Sequence, residues 1–550
     1  MTDFFVKIDK NLTNIHSFEG LQNLETKSIN SDFFVANCNS KTESFLKSIP
    51  SSFESSIKKN EYIFDYGIVI SISKKDNSVK IFTDVYGITT NYYFENSEYF
   101  FISNSLQKLK TELKNASINV EAVSDYLLFN YPIQGRTYIS EIYKMTAAQQ
   151  IIINENKSLF SSYFNWDDIE NWKFDNQQKP AEMLAEITHE KYELNQNNLL
   201  ALSGGFDSKT ILGALSSKNI PYSAYSFGSK KHVDVIASQK TSKILNIDWI
   251  HFDTSNKTKE DLQLAYKKFI HENENLAFPP TLMNYVFIND IFDSSQIYTG
   301  KMGGELIVGP SLISGLVITN YAQSLLNSNK EEQIYEEIHK NSVIKELFNS
   351  KNELNQYIQK ISVYLKDKKR INSLKFLMTE TYAHFFGQIQ RVLTKHVLTN
   401  PFTDLRFIKS LYDAKLLYIS RNDTLSSRLF ARLNYYKWIK KLDKKVLKTP
   451  LDRGLNLASL NPIYLFAPVS FNYIKRKLFR NKSLKSENKL LNFLFEDANE
   501  FLEELKPSNT IVKKIKNSLH NEITLEDNSN QNKLNFIKLK ILVLHLDRYK

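Results

Sequence analysis

Cysteine is almost absent from this chain of 550 residues, in which Cys38 is the single thiol. One cysteine excludes an internal disulfide and any metal cluster built from several thiolates. The ten histidines form no H-x-x-x-H pair, and without cysteine support this speaks against a zinc site. His384 and His396 are therefore expected to be packed or solvated side chains rather than ligands.

Long hydrophobic runs are absent as well. A membrane helix needs about 18 unbroken apolar residues, and no segment approaches that length. The first ten residues, MTDFFVKIDK, lack the basic segment, apolar run and small-residue cleavage site of a secretory signal. These absences predict a cytoplasmic protein with no membrane partner.

A strong charge imbalance is missing from most of the chain. The 71 basic and 60 acidic residues leave a net charge of +11, and the basic excess is heaviest after residue 430. Because the lysines there are spread along segments such as YYKWIKKLDKKVLK, solvated helix faces explain them better than a nucleic-acid surface. A surface for some other acidic partner stays open.

The chain is too long for one ordinary core, so more than one domain is expected. Residues 1–165 alternate apolar and polar residues in short segments, which predicts a layered α+β domain rich in strands. From residue 180, short apolar strands alternate with helices, a pattern typical of an α/β parallel sheet covered by helices. The predicted boundaries are 1–165, 180–460 and a helical extension over 461–550, with DDIENWKFDNQQKP as a linker and mostly helices after about residue 310.

The sharpest motif is the hexapeptide Ser203–Ser208, SGGFDS, between a predicted strand and a predicted helix. Its two glycines let the backbone turn tightly and bring N–H groups against phosphate oxygens. The start of the helix adds a positive partial charge. The two serine hydroxyls can donate to phosphate, and Asp207 can hold a Mg²⁺ ion that bridges phosphates. A plain strand-to-helix turn is the alternative, but the full hexapeptide in this context favours nucleotide binding.

This hexapeptide resembles the pyrophosphate loop S-G-G-x-D-S of enzymes that split ATP between its α- and β-phosphates. Other segments, in the same order along the chain, resemble the asparagine synthetase family. DVYGITTNYY is similar to its D-x-x-G-x-x-P-L-Y-Y turn, IYTGKMGGELIVGP to its S-G-x-G-x-D-E-L-F-G-G segment, and TNPFTDLRF to its R-x-P-F-L-D segment. The resemblance covers roughly residues 60–460. It implies an Ntn-hydrolase-like, glutaminase-like N-terminal domain followed by a pyrophosphate-loop ATPase domain, with ATP and Mg²⁺ at the site.

The resemblance also implies roles for single residues. Lys448, in VLKTPLDRG, would stabilise the negative charge that builds at the α-phosphate. Glu305 would act in catalysis and, with Asp207, would ligate Mg²⁺. The residues implied to bind ATP are Ala201, Ser203, Gly204, Gly205, Asp207, Ser208, Phe227, Thr299 and Gly300.

The glutaminase machinery of the family is not matched. Its terminal cysteine nucleophile is replaced by Thr2, Cys38 lies far inside the chain, and Thr83 stands where the family has an Arg. The resemblance therefore implies a domain that keeps its fold without hydrolysing glutamine.

The ATPase segment also departs from the family. Gly304 stands where the family has its second metal-binding Asp, so either Glu305 replaces it or the metal site is weakened. Lys301 occupies a variable position at which relatives have a residue that shapes the substrate site or acts in catalysis. Val397 replaces the acid that β-lactam-forming relatives use in a Tyr–Glu pair.

The expected activity is an AMP-forming ligase that adenylates a carboxylate on a small molecule or peptide and joins it to an amine. Loss of the glutaminase favours ring closure within one substrate, as in lasso-peptide cyclases and β-lactam synthetases. A precursor peptide and an accessory peptidase would then be partners. Amidation with free ammonia and an ATP-binding scaffold without turnover remain as alternatives. The N-terminal resemblance disfavours an RNA-modifying enzyme.

Overall fold

The computed structural model describes residues 3–11, 14–24, 31–36, 66–73, 75–154, 157–174, 178–192, 196–253, 256–274, 284–309, 338, 342–365, 371–420, 425–451, 489–505, 510–522 and 530–548. Thr2 and Cys38, which underlie the glutaminase prediction, lie outside these residues, as does the predicted boundary at residue 460. The described chain is a mixed α/β structure with three sheets, one of them parallel.

The N-terminal part is built from antiparallel strands. They are β1 (Phe5–Asp9), β2 (Asn14–Glu19), β3 (Gln22–Leu24), β4 (Ser31–Ala36), β5 (Ile68–Ser73), β6 (Ser78–Thr83), β7 (Tyr92–Glu95), β8 (Tyr99–Ser103), β9 (Tyr143–Lys144), β10 (Gln149–Asn154) and β11 (Lys157–Ser162). One sheet has the order β2-β1-β8-β7-β9, and the other has the order β11-β10-β6-β5-β4-β3.

These two sheets pack face to face. Val6 of β1 and Ile102 of β8 belong to one buried apolar cluster with Ile70 of β5, Ile81 of β6 and Ile151 of β10. In β1, buried residues alternate with half-exposed ones, as expected for a strand with one face in a core. The predicted strand-rich layered architecture is confirmed, whereas its glutaminase-like identity stays a prediction.

A turn next to the second sheet joins this region to the remainder of the chain. The Asp84 carboxylate accepts hydrogen bonds from the N–H groups of Tyr86, Ile88 and Thr89. The Ile88 carbonyl oxygen lies so close to Gly387 that a β-carbon there would stand 2.5 Å from it. Gly387 therefore cannot gain a side chain without displacing backbone.

The second half contains the parallel sheet. Its strands are β12 (Asn197–Ala201), β13 (Ser223–Phe227), β14 (Trp249–Phe252), β15 (Ser295–Tyr298) and β16 (His396–Thr399). The order is β14-β13-β12-β15-β16, and all four pairings are parallel. The predicted β12, β13 and β14 are confirmed. The expectation of mostly helices after about residue 310 is confirmed for the described residues, where the edge strand β16 is the exception. Its four residues are too few to show an apolar alternation.

Helices surround the three sheets. They are α1 (Leu106–Thr111), α2 (Val120–Phe129), α3 (Pro180–Glu190), α4 (Phe206–Ser217), α5 (Val233–Leu245), α6 (Lys259–Glu272), α7 (Asn284–Ile291), α8 (Gly303–Ile307), α9 (Ser342–Leu347), α10 (Lys351–Leu365), α11 (Ile371–Phe376), α12 (Ala383–Val392), α13 (Leu405–Asp413), α14 (Leu425–Leu442), α15 (Lys489–Glu504), α16 (Thr510–Glu522) and α17 (Asn530–Arg548). A π-helical segment, Leu377–Tyr382, joins α11 to α12, and a short 3₁₀ helix spans Lys444–Lys448.

Part of the predicted linker is packed into the core. A 3₁₀ turn spans Ile169–Asn171, and both Ile169 and Trp172 are buried. The Trp172 ring lies 4.8 Å from Phe164 and 5.5 Å from Trp166, centroid to centroid. The linker prediction is therefore wrong for this half of the segment, because two apolar side chains outweigh its polar composition.

The C-terminal helix α17 returns to the N-terminal half. The Tyr126 hydroxyl in α2 donates to the backbone oxygen of Lys538, and the Lys538 ammonium donates to the backbone oxygen of Leu127. Among the described helices, none combines the length and apolar character that crossing a bilayer requires. The boundaries proposed at 165, 180 and 460 stay predictions.

Candidate nucleotide site at the carboxyl edge of the parallel sheet

The strand order of the parallel sheet marks a place for a ligand. From β12 the chain proceeds outward through β13 to β14, and then returns to the other side of β12 to form β15. The loops after β12 and β15 thus leave the sheet at a topological switch point, where ligands bind in open α/β sheets. Ala201, Phe227 and Tyr298 end the three adjacent strands β12, β13 and β15. The sequence motifs therefore follow neighbouring strand ends.

The hexapeptide after β12 is ordered by its own side chains. The Ser208 hydroxyl accepts the N–H of Ser203 at 3.2 Å and lies 3.0 Å from the Ser203 hydroxyl oxygen. The Ser203 hydroxyl oxygen accepts the N–H of Gly205 at 3.1 Å. This ring of contacts closes the loop into a compact turn, with both serine side chains already placed.

The start of helix α4 lacks a side-chain cap. Gly205 is the N-cap residue, and as a glycine it offers no side chain to accept a hydrogen bond from the first turn. Helix N-terminal N–H groups without an internal partner are a common anion site, aided by the helix dipole. An anion bound at this loop would satisfy them.

One loop amide already has a carboxylate partner. The Gly204 N–H donates to Oδ1 of Asp234, in the first turn of α5, at 2.8 Å. The sequence analysis did not single out Asp234, although an acid at the start of the next helix is a usable signal. A ligand phosphate at this amide would have to share it with Asp234 or displace that carboxylate.

The loop after β15 packs directly on this turn. A β-carbon at Gly300 would stand 2.6 Å from the backbone carbon of Asp207, and one at Gly303 would stand 2.6 Å from its Oδ1. Met302, between these glycines, has a φ of +70°, which is strained for a residue with a side chain. The two loops thus approach as closely as backbone allows.

Two carboxylates meet at this contact. Asp207 is half-buried in the first turn of α4, where Tyr435 donates to its Oδ1 at 2.5 Å. Burial, together with the nearby Glu305 carboxylate, raises the pKa of Asp207 to about 7. Burial also raises the pKa of Glu305. The glycines of the other loop and Tyr435 cover Asp207.

This donor set fits a Mg²⁺ ion shared with phosphate. A cation between two carboxylates relieves their electrostatic repulsion. Mg²⁺ is commonly bound by one or two carboxylates plus phosphate oxygens and water. Within the described ranges, no group of three or more His, Cys, Asp or Glu side chains could hold a metal. The remaining ligands would therefore come from a nucleotide and from water.

The other implied ATP residues line the same edge. Ala201 and Phe227 are half-buried at their strand ends, and the Phe227 ring packs edge-on against Tyr285 at 6.0 Å between centroids. Thr299 is buried; its N–H donates to the Thr399 oxygen, and its hydroxyl accepts the Lys301 N–H. Thr299 therefore shapes the turn, and its backbone lies beside the loop.

Lys448 has a different environment. It is exposed on the 3₁₀ helix Lys444–Lys448, which follows α14. That 3₁₀ helix contacts α4 and α5, the two helices that follow β12 and β13. Its catalytic role stays a prediction.

Lys301 and Tyr435 are the residues whose environment sequence reasoning missed. Lys301 is half-buried beside Phe385, with its ammonium 4.5 Å from the ring centroid. Tyr435 lies 228 residues from its partner Asp207, and no local pattern announces such a contact. Val397, at the position where β-lactam-forming relatives have an acid, is exposed on β16.

A cavity of about 250 Å³ lies elsewhere, at the start of α3 and along α13. Its lining includes Met183, Arg406 and Lys409 and none of the loop residues. Arg406 is already paired with Asp404 and Glu190. Because the residues of the sequence motifs lie at the carboxyl edge of the sheet and do not line this cavity, that edge is the better candidate site.

Comparisons with known proteins add little to this geometry. No protein-family model matches the chain, and no curated protein is similar to it. One solved structure that shows a likeness is described as the allosteric regulatory enzyme of purine biosynthesis, at 9% sequence identity. The likeness covers 46% of this chain and 74% of that chain with a TM-score of 0.18, which is too low to support an argument about fold or function.

Proposed function

We propose that this chain is an ATP-dependent, AMP-forming carbon–nitrogen ligase without glutaminase activity of its own. A substrate carboxylate oxygen would bond to the α-phosphorus of ATP while the bond to the β-phosphate oxygen breaks and pyrophosphate leaves. An amine would then bond to the acyl carbon, AMP would leave with the electrons of the acyl–oxygen bond, and the amine proton would pass to solvent.

One observation carries this proposal: the loop Ser203–Ser208 and the loop that bears Glu305 meet at the switch point of the sheet. The start of α4, where the N-cap glycine has no side chain to act as a cap, can accept an anion. The N–H groups of Gly204 and Gly205, which now donate to Asp234 and Ser203, would turn to that anion. The carboxylates of Asp207 and Glu305 lie close by. A triphosphate with a divalent cation satisfies both features at once. A plain structural turn would need neither the repelling carboxylates nor the close glycine contact.

Each residue has a defined task in this proposal. The amides of Gly204 and Gly205 and the hydroxyls of Ser203 and Ser208 would hold the phosphates that leave. Asp207 and Glu305 would hold Mg²⁺, which neutralises phosphate charge when bound. Lys448 would approach the α-phosphate from its 3₁₀ helix and stabilise developing charge.

The adenine and ribose would lie along the neighbouring strand ends. Ala201 and Phe227 would face the base, and Thr299 with Gly300 would border the ribose. The amine would be free ammonia or a group of the substrate itself, and ring closure is the version we favour. In ring closure, the partners of this chain would be a precursor peptide and an accessory peptidase.

A binding protein that holds ATP without turnover is the second candidate. Gly304 offers no metal-binding side chain, and Lys448 is exposed. Both features weaken catalysis more than they weaken phosphate binding. The same assay separates the two candidates.

The test incubates the full chain with Mg·ATP and a panel of carboxylates, amines and linear peptides, and separates nucleotides by chromatography. A ligase forms AMP and pyrophosphate in equal amounts, dependent on substrate. An ATP-binding scaffold binds Mg·ATP in calorimetry and forms no AMP with any substrate pair. Absence of Mg·ATP binding would refute the nucleotide site itself.

A further inference from the structure

Lys301 places a positive charge at the candidate site, where the nearby Glu305 carboxylate attracts it. In the part of the chain that the structure describes, its ammonium has no hydrogen-bond acceptor and no carboxylate in salt-bridge contact. Its close neighbour is the Phe385 ring on α12, 4.5 Å from the nitrogen to the centroid. The side chain is half-buried.

The backbone holds Lys301 in place. Its N–H donates to the Thr299 hydroxyl at 3.3 Å, and its carbonyl oxygen accepts a hydrogen bond from the Asn400 side chain at 2.9 Å. Two strand ends, those of β15 and β16, thus anchor the turn from which the side chain projects. The ammonium position is therefore set by the sheet rather than by a free loop.

A half-buried ammonium that makes no salt bridge or hydrogen bond is unfavourable. Lysines are almost never buried without a partner, since loss of hydration penalises the charge. Burial lowers the pKa of Lys301 to about 8, and attraction to Glu305 opposes that shift. A contact between an ammonium and an aromatic ring offsets only about 0.5–2 kcal/mol of this desolvation cost. Such an arrangement is stabilised when an anionic ligand arrives.

We propose that Lys301 binds the carboxylate of the acyl substrate and holds it beside the phosphate loop. This inference rests on the proposed ligase function and adds a specificity-determining residue to it. The phosphates have their own partners in the helix start and the Asp207–Glu305 pair. Lys301 lies beside Phe385, so an organic acid bound there would contact a cation and an apolar ring.

A phosphate group of ATP would offer the same anionic chemistry, so the experiment separates the two sources. Lysines of the full chain are reductively methylated, and the rate at Lys301 is read by peptide mass spectrometry, with the exposed Lys415 as reference. Sodium acetate is compared with sodium chloride at equal ionic strength, and Mg·ATP is added in a separate arm. We expect acetate to slow methylation of Lys301 severalfold and to leave Lys415 unchanged.

Protection by Mg·ATP alone would overturn the proposal in favour of a phosphate contact. Protection by neither would show that Lys301 is a packing residue, and would overturn it as well. Lys301→Met should change the affinity for Mg·ATP by much less than tenfold, and a tenfold loss would contradict a carboxylate role. Because acetate protection needs no nucleotide, this test can succeed or fail independently of ATP turnover.

Discussion

Gly303 lies against Asp207 so closely that a β-carbon on the glycine would stand 2.6 Å from the carboxylate oxygen Oδ1. The next residue, Gly304, is less constrained, since its β-carbon would stand 3.4 Å from Oδ2. The first distance is a clash, and the second is an ordinary contact. The two adjacent glycines thus differ in whether a side chain fits, so a substitution at one is a control for the same substitution at the other.

Gly303→Ala should therefore disturb the site, and Gly304→Ala should not. We expect the first variant to lose about 1–3 kcal/mol of stability from overpacking and to bind Mg·ATP more weakly, because Asp207 must move. Thermal unfolding and calorimetry with Mg·ATP measure both effects. Equal behaviour of the two variants would show that the loops do not meet as described.

Removal of the Asp207 charge should abolish the magnesium dependence of ATP binding. Asp207→Asn keeps the shape and leaves an amide oxygen for the Tyr435 hydroxyl, so the loop contact survives while the ionic metal ligand is lost. Titration of ATP with and without Mg²⁺ measures the difference. Tyr435→Phe is the matched control, and an Asp207→Asn variant with unchanged Mg²⁺ dependence would remove Asp207 from the metal site.

A third carboxylate beside Asp207 and Glu305 should make the stability of the protein depend on a bound cation. Gly304→Asp adds negative charge beside Asp207 and Glu305, which already repel each other. Without metal we expect a lower melting temperature than in the parent, and with Mg²⁺ a larger upward shift than the parent shows. Gly304→Asn controls for side-chain size, and an equal Mg²⁺ response in both variants would argue against a metal at this position.

Lys448→Met should slow AMP formation without a comparable loss of ATP affinity. Removal of one group that stabilises charge in a transition state typically slows a reaction about 10²–10³-fold. Phosphate binding in the ground state is expected to depend mainly on backbone amides. Single-turnover rates and the Kd for Mg·ATP separate the two effects. Lys445→Met, on the same 3₁₀ helix, is the control. Equal AMP output from parent and Lys448→Met would mean that another lysine serves the reaction.

The stability of the chain should depend on pH through His384. His384 is buried with its Nε2 3.5 Å from the Lys144 ammonium and 3.5 Å from a Glu380 oxygen, and its ring stacks on Tyr131. Burial and the Lys144 charge lower its pKa from 6.5 to about 4. The unfolded chain therefore binds this proton first, so the contribution to stability is complete above pH 6.5 and is lost as pH falls toward 4.

His384→Phe keeps the ring stack and removes the titrating group. Between pH 6.5 and 4, the parent should lose stability relative to this variant by up to about 1.4 kcal/mol per pH unit. Denaturant unfolding at several pH values gives the difference in slope. His271→Phe, at an exposed position, should leave the slope unchanged. A parallel pH course for parent and His384→Phe would contradict a neutral buried histidine.

Local sequence patterns were sufficient for the elements around the loop. The short apolar segments that became β12, β13 and β14, and the helices α4 and α5, follow from apolar periodicity and from the glycines that separate strand from helix. These features involve residues close together in the chain, so the sequence carries them directly. The uncapped start of α4 at Gly205 likewise follows from the S-G-G motif.

Other features depended on long-range packing. Trp172, in a polar segment, became buried because Phe164 and Trp166 lie beside it. His396–Thr399 became a strand because β15 offered an unpaired edge, a partner about 100 residues earlier in the chain. Neither outcome is encoded by periodicity within the segment.

By itself the sequence predicted a phosphate-binding loop at Ser203–Ser208, because that prediction depends on backbone freedom and hydroxyls within six residues. Only the tertiary structure decided that Glu305 would lie close enough to Asp207 to raise its pKa, that Tyr435 would bind the same carboxylate, and that Lys301 would make no salt bridge within the described residues. Those relationships arise where β12 and β15 lie side by side, and strand order is a property of the folded sheet. The electrostatics of the candidate site therefore follow from the sheet.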